Sequence, residues 1–274
     1  MKKQNKNNLE KEKTVNERQK EFYSNFKQNK ATKAWYAVRN GILRKIRKNI
    51  GAESQIYELH KEWFGDLSNK KVLDLGCYAG NSLSYYLAEN SKKYIAIDLS
   101  EKGISNLRKR LKHFDHAEAY SMDFLSEAFL EKDFDLIYAY GVLHHFRDTN
   151  SLIKRLKEKL SSGGTIISND PLQTSFPIKL IRTLYRPFQS DKDWEWPFSK
   201  QTYFKYEKAF NIIERRGMLG KSKWFFLLNL LPYSSENKKG IAKKWHQEDW
   251  EKSKSSNLHM FRCMHLTMLM QKKE

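Results

Sequence analysis

The sequence predicts a doubly wound α/β fold with a mostly parallel sheet, on three observations. Short apolar runs alternate with helical patterns between residues 72 and 168. That alternation calls for parallel pairing through right-handed crossovers. The first run ends in a glycine-bearing turn, V-L-D-L-G-C-Y-A-G-N at 72–81, which leads straight into a helix. The second run ends in a carboxylate, Asp98, 22 residues beyond Gly76.

The elements follow in order along the 274 residues. At 39% hydrophobic and 14% aromatic, the chain can bury a sizeable core, which excludes wholesale disorder. Residues 1–20 are polar and basic with almost no core-forming side chain, and are expected to be disordered. Residues 21–64 turn amphipathic: Phe22, Tyr23 and Phe26, then Trp35, Tyr36 and Val38, then Ile42, Leu43 and Ile46, then a stretch at 56–64. This predicts a helical cap with breaks at Gly41 and Gly51. The α/β domain is expected over 65–274, with strands at 72–75, 94–97, 117–121, 134–140 and 165–168. Asn81 and Ser100 stand where they can cap the first two crossover helices, and Ile104, Leu107 and Leu111 mark the buried face of the second. A helix at 151–160 is expected to close on S-S-G-G before the fifth strand. The alternation then stops. An aromatic insertion at about 173–208 precedes a strand at 210–215, and a second insertion at about 221–257 carries W-F-F-L-L-N-L-L-P. C-M-H-L-T-M-L-M supplies the last strand, and no internal repeat is present.

Charge is uneven within the net +19: residues 1–50 carry +11, 51–172 carry −2 and 173–274 carry +10. Basic ends attract anionic partners such as nucleic acid, a membrane surface or a phosphorylated substrate. A solvated helical face gives the same pattern, and that plainer reading is favoured. Two cysteines, Cys77 and Cys263, are too few for a disulfide framework, and no C-x-x-C spacing offers a zinc site. No apolar stretch approaches the ~20 residues that cross a bilayer, and the first residues lack the apolar run of a signal peptide. A reducing cytoplasm is the expected location.

Gly76 and Gly80 permit a tight turn and close approach of a ligand to a helix N-terminus. Asp98 can accept both hydroxyls of a ribose. S-M-D-F follows the third strand at 121–124, and Y-A-Y-G-V-L-H-H-F spans the end of the fourth at 138–146. These four blocks, in this order, resemble class I S-adenosylmethionine-dependent methyltransferases over about residues 70–172, and more loosely over the closing strand. The resemblance implies a Rossmann-like sheet of seven strands, the last antiparallel, with S-adenosyl-L-methionine across the carboxyl ends of the first strands. The family pattern D-x-G-x-G-x-G has Tyr78 in place of its middle glycine here. By position, it implies Asp74, Gly76, Cys77 and Gly80 around the methionine part of the cofactor. Asp98 is implied at the ribose with Leu99 against the adenine, and Asp123 at the adenine amino group with Phe124 alongside. Tyr140 and Gly141 are implied beneath the transferable methyl.

A hydroxyl acceptor must lose its proton, and histidine is the base suited to neutral pH. His144 and His145 are the only adjacent histidines. Neighbours on one helical turn point about 100° apart, so only one is expected to face the acceptor. His145 is chosen on its match to resembling V-L-H-H segments, with capping or packing as the alternative role for either. No Pro-Pro-aromatic block follows the fourth strand, which disfavours amino-methylation of adenine or cytosine, and no Walker or G-x-S-x-G motif occurs. Specificity is expected in the insertions, with Trp194 and Trp196 stacking on the acceptor. Residues 224–231 read as core, with a lid or a lipid-headgroup contact as alternatives. The function expected is methyl transfer to a small aromatic, lipid-linked or glycosyl hydroxyl, oxygen ahead of nitrogen or carbon, without a metal. The alternative is an RNA-directed methyltransferase or a basic RNA-binding protein on the same fold.

Overall fold

The computed structural model describes residue 18 and residues 30–176, 178–188 and 194–273. The expected disordered start, residue 18 apart, and the apolar residues Phe22, Tyr23 and Phe26 lie outside the described residues. Strands β1 (Lys71–Leu75), β2 (Lys93–Asp98), β3 (Ala117–Ser121), β4 (Phe134–Tyr140), β5 (Leu160–Pro171), β6 (Phe210–Met218) and β7 (His265–Lys272) form one sheet. Their order is β3-β2-β1-β4-β5-β7-β6. The first five pair in parallel, and β7 runs antiparallel to both β5 and β6. The order reverses between β1 and β4, which opens a crevice at their carboxyl ends.

Helices α1 (Lys30–Ile50), α2 (Ala52–Phe64), α3 (Ser82–Asn90), α4 (Glu101–Leu111) and α5 (Thr149–Lys159) belong to the first half. The second half adds α6 (Ile178–Tyr185), α7 (Lys200–Ala209), α8 (Ser235–Ser255) and α9 (Asn257–Met260). Alternate residues of the central strands feed two cores, because strand side chains alternate between faces. Leu73, Ile95 and Ile137 pack with Leu152 and Leu156 of α5 and Tyr203 and Tyr206 of α7. Val72, Tyr94, Leu136 and Tyr138 pack with Phe64 of α2, Leu83 and Leu87 of α3, and Ile104 and Leu107 of α4. Asn81 caps α3 in a reciprocal box with Ser84, and Ser100 caps α4, as their positions suggest.

Three local expectations are corrected. Gly41 does not break the first helix: α1 continues through it to Ile50. One helical glycine costs only about 1 kcal/mol, and Ile46 and Ile50 bury against Phe225, Leu228 and Ala242 on the far side of the chain. The break falls at Gly51 alone, with φ 71°. β5 is longer than 165–168, and S-S-G-G is no separate turn; it forms a bulge inside the strand, where pairing jumps from Leu160 to Thr165. The apolar segment 224–231 divides: within a 3₁₀ stretch at Ser222–Leu230, Phe225 and Leu228 are buried while Phe226, Leu227 and Leu230 are exposed. Among the described residues no helix is long and apolar enough to cross a membrane.

The buried stripe of α2, Ala52, Ile56, His60 and Phe64, recurs every four residues. His60 is its polar member. Its Nε2 donates to Thr267 Oγ1 at 2.7 Å, which donates to Ser168 O at 2.7 Å, while Tyr138 Oη donates to Nδ1 at 3.3 Å. Burial holds the ring neutral, its pKa pushed down to about 3 from 6.5. The unfolded chain therefore takes up a proton that the folded one refuses as pH falls below 6.5. This contribution to stability is complete above that pH and declines toward pH 3, by up to about 1.4 kcal/mol per unit. In urea titrations between pH 7 and pH 4, His60→Leu is expected to lose stability less steeply than the native chain; identical slopes would place the acid sensitivity elsewhere.

Candidate active site

The turn after β1 is a run of left-handed residues: Gly76 at φ 71°, Tyr78 at φ 48° and Gly80 at φ 74°. Gly76 is required, since a Cβ there would stand 2.2 Å from Val142 Cγ2 of the turn after β4. Tyr78 takes the conformation of the glycine it replaces, at a strain of roughly 1–2 kcal/mol. Its ring turns away over α4, where Gly103 makes room: a Cβ on Gly103 would lie 2.7 Å from that ring. The substitution therefore leaves the turn intact.

The carboxylate of Asp98 stands behind this turn. Its Oδ2 accepts from the Tyr78 N–H at 3.0 Å and its Oδ1 from the Ser100 N–H at 2.7 Å. Burial pushes its pKa up, and those two backbone donors pull against the rise. Leu99 follows, its carbonyl accepting from Ser121 Oγ at 3.3 Å. After β3, Asp123 Oδ1 accepts from the Leu125 N–H at 2.9 Å and holds the turn there. Phe124 is 2% exposed and packs on Phe129 and Phe146, so its ring lies in the core. Asp74 lies beneath the β1 turn, 2% exposed, accepting from Tyr94 Oη at 2.7 Å. Burial raises its pKa to about 6, against the hydrogen bonds from Ser84 and Tyr94. Burial also pushes the Cys77 thiol well up, which makes it a poor nucleophile.

Tyr140 closes β4, edge-on to Tyr57 of α2 with centroids 6.1 Å apart. Burial first and Tyr57 second raise its pKa to about 12, so its hydroxyl stays protonated. Gly141 follows at φ 73° with nothing within 4 Å of a Cβ position. The chain then enters a 3₁₀ turn, Leu143–His145. The rings of the two histidines lie side by side, their centroids 4.2 Å apart. Each ring is held by its own Nδ1 partner. His144 Nδ1 lies 2.8 Å from Asp170 Oδ1, which also accepts the His144 N–H at 3.2 Å. His145 Nδ1 lies 2.9 Å from the Trp194 carbonyl.

The aromatic insertion is docked on the same corner. The Trp196 N–H donates to the His144 carbonyl at 2.7 Å, and Phe198 bridges to Leu172 beyond β5. Trp194, Glu195 and Trp196 are all half-buried there, and the ligating atoms of His144, His145 and Glu195 fall within 4.8 Å of one another. Asp170 and Glu195 escaped the sequence reading. N-D-P-L at the end of the fifth strand and W-E-W in the insertion were the available signals, but nothing local links either to the histidines. Chemically, the crevice joins two carboxylates that accept from backbone N–H groups, Asp98 and Asp123, to an imidazole–carboxylate pair beyond β4.

Residues 51–215 match the methyltransferase domain family. An uncharacterized protein of Haemophilus influenzae is 35% identical over 107 residues, 37% of this chain and 42% of that protein. A tRNA U34 carboxymethyltransferase of Sulfurovum sp. is 35% identical over 118 residues, 42% of this chain and 38% of that protein. The chain thus matches only about two-fifths of the length of these relatives. Among solved structures, the N-methyltransferase NodS of Bradyrhizobium japonicum with S-adenosyl-l-homocysteine aligns with TM-score 0.52 at 17% identity, over 81% of this chain and 87% of that one. Geranyl diphosphate C-methyltransferase of Streptomyces coelicolor aligns with TM-score 0.54 at 13% identity, over 81% and 79%. Such identities establish the fold alone. The family match, by contrast, covers more than half of the sequence and includes the β1 turn, Asp98, Asp123 and the histidine pair. The chain belongs to the methyltransferase domain family, built on the S-adenosylmethionine-dependent class I fold.

Proposed function

We propose that the chain methylates a hydroxyl of a small acceptor seated between the turn after β4 and the segment 194–198. The observation that carries this is the His144–Asp170 pair at the carboxyl edge of β4 and β5. The crevice fits the cofactor: Asp98 keeps further lone pairs on both oxygens for a ribose diol, and the glycines of the β1 turn admit close approach. Asp123 suits an adenine amino group, and Tyr140 with Gly141 would floor the methyl. When bound, S-adenosyl-L-methionine supplies a methyl carried on a positive sulfur. Asp74, Gly76, Cys77 and Gly80 shape the pocket for its methionine part, and Leu99 and the Phe124 backbone border the adenine.

His144 is the residue assigned to the acceptor's proton. A carboxylate on Nδ1 fixes the tautomer with a lone pair on Nε2 and steadies the imidazolium that forms. The assignment moves from His145 to His144 because the buried carboxylate stands behind His144. Trp194 and Trp196 supply apolar faces beside it, suited to an aromatic ring or a sugar face. Turnover of labelled cofactor against metabolite and RNA extracts from the source cell, read by mass spectrometry, tests the proposal. A small methylated product is expected, with Trp194→Ala and Trp196→Ala impairing turnover while cofactor affinity stays near normal. Label recovered only in RNA would favour the second reading, which rests on the tRNA-directed names of several relatives and on the basic ends of the chain.

A further inference from the structure

We propose that His144, His145 and Glu195 form a site for a divalent transition-metal ion, an inference that rests on the reading that the acceptor hydroxyl sits beside them. Their ligating atoms lie within 4.8 Å of one another, although Glu195 is 50 residues beyond His145. The hydrogen bonds behind the rings decide what each offers. Asp170 Oδ1 already accepts the His144 N–H, and it accepts from Nδ1 of the same residue. A backbone carbonyl can only accept, so Nδ1 of His145 donates to Trp194 O. In a neutral imidazole a proton on Nδ1 leaves the lone pair on Nε2. Both histidines therefore present the same ligand atom. A carboxylate behind one ring and a carbonyl behind the other are the outer supports that metal-bound histidines have.

Charge supplies an independent argument. Asp170 is 0% exposed, and its Oδ2 has no hydrogen-bond partner among the described residues. A carboxylate in that setting is costly without a nearby cation. An ion on the opposite nitrogen of His144 compensates it through the ring.

Two imidazoles and a carboxylate make a ligand set for zinc, and equally for divalent iron, manganese or cobalt, with coordination positions left for an acceptor oxygen. Ligands at 2.0–2.2 Å from an ion lie roughly 3–3.5 Å from one another, so the cluster must contract by about an ångström. Glu195 lies in a segment with neither helix nor strand, and contraction draws its carboxylate toward the two rings. With the ion bound, His144 serves as ligand instead of proton acceptor. The acceptor hydroxyl then coordinates the ion and loses its proton to water. Its oxygen forms the new O–C bond as the C–S bond breaks, the electron pair remaining on sulfur.

The test uses the full chain stripped of metal and titrated with Co²⁺ alone, followed by visible absorption, and with Zn²⁺ alone by calorimetry. One tight site is expected, weakened about 10–100-fold or more in His145→Ala and in Glu195→Gln, with thermal unfolding and cofactor binding of both variants unchanged. No cobalt spectrum, or equal affinity in the native chain and both variants, overturns the site. Activity separates this inference from the function. Turnover indifferent to chelator but lost in His144→Ala removes the metal and leaves the methyl transfer standing. A stoichiometric cobalt site without turnover on any acceptor supports the metal and sinks the hydroxyl reading.

Discussion

Replacing His144 by alanine is expected to lower turnover by about 10²–10⁴-fold while cofactor affinity barely changes. That range is what loss of a positioned proton acceptor costs. The separation of the two effects follows from the geometry, because His144 lies after β4 beside Asp170, and Asp98, the carboxylate proposed for the ribose, ends β2. Asp170→Asn should reproduce much of the loss. An amide in that place carries no charge to steady an imidazolium and no longer enforces the tautomer. His145→Ala, measured alongside, tells whether the second ring matters as a ligand or only as a neighbour. Steady-state turnover of labelled cofactor with calorimetric cofactor binding decides the matter. A loss of no more than a few-fold in His144→Ala would remove the hydroxyl-activating role and favour an amine or carbon acceptor, which needs less help with a proton.

The second large effect is on binding. Asp98→Ala is expected to weaken cofactor affinity by about 1.5–3 kcal/mol, roughly 10–150-fold in Kd. Two sources combine. The ribose loses its acceptors, and the N–H groups of Tyr78 and Ser100 lose theirs, which loosens the β1 turn itself. Asp98→Asn keeps one oxygen for the Tyr78 or Ser100 donor, so it should fall between the native chain and alanine. Native affinity in Asp98→Ala, measured by calorimetry on folded protein, would remove the ribose assignment.

Much of this architecture is legible from local pattern. The fourth strand is expected at 134–140 and is found as Phe134–Tyr140, because central parallel strands are apolar runs between turn residues. The third, at the sheet edge, is expected at 117–121 and is found as Ala117–Ser121. The caps at Asn81 and Ser100 are equally local, a side-chain oxygen meeting N–H groups two or three residues on. The turn at 76–80 tolerates Tyr78 for a reason the local pattern does not contain: Gly103 lies one crossover away. The length of β5 likewise depends on β7, which pairs with it from Thr165 to Pro171.

Sequence by itself determined the family and the order of strands and helices, and it set the β1 turn, Asp98 and Asp123 at or just beyond the ends of consecutive strands, since that spacing is written in the chain. The arrangement of the corner beyond β4 and β5 was decided only by the tertiary structure. His144 looks like its neighbour until the sheet brings Asp170, 26 residues later, within 2.8 Å of its ring. Glu195 reaches the same corner because the insertion adds a bridge to the end of β5 through Phe198. Side-chain direction and long-range contact depend on how layers pack, and packing is a property of the whole fold, not of spacing along the chain.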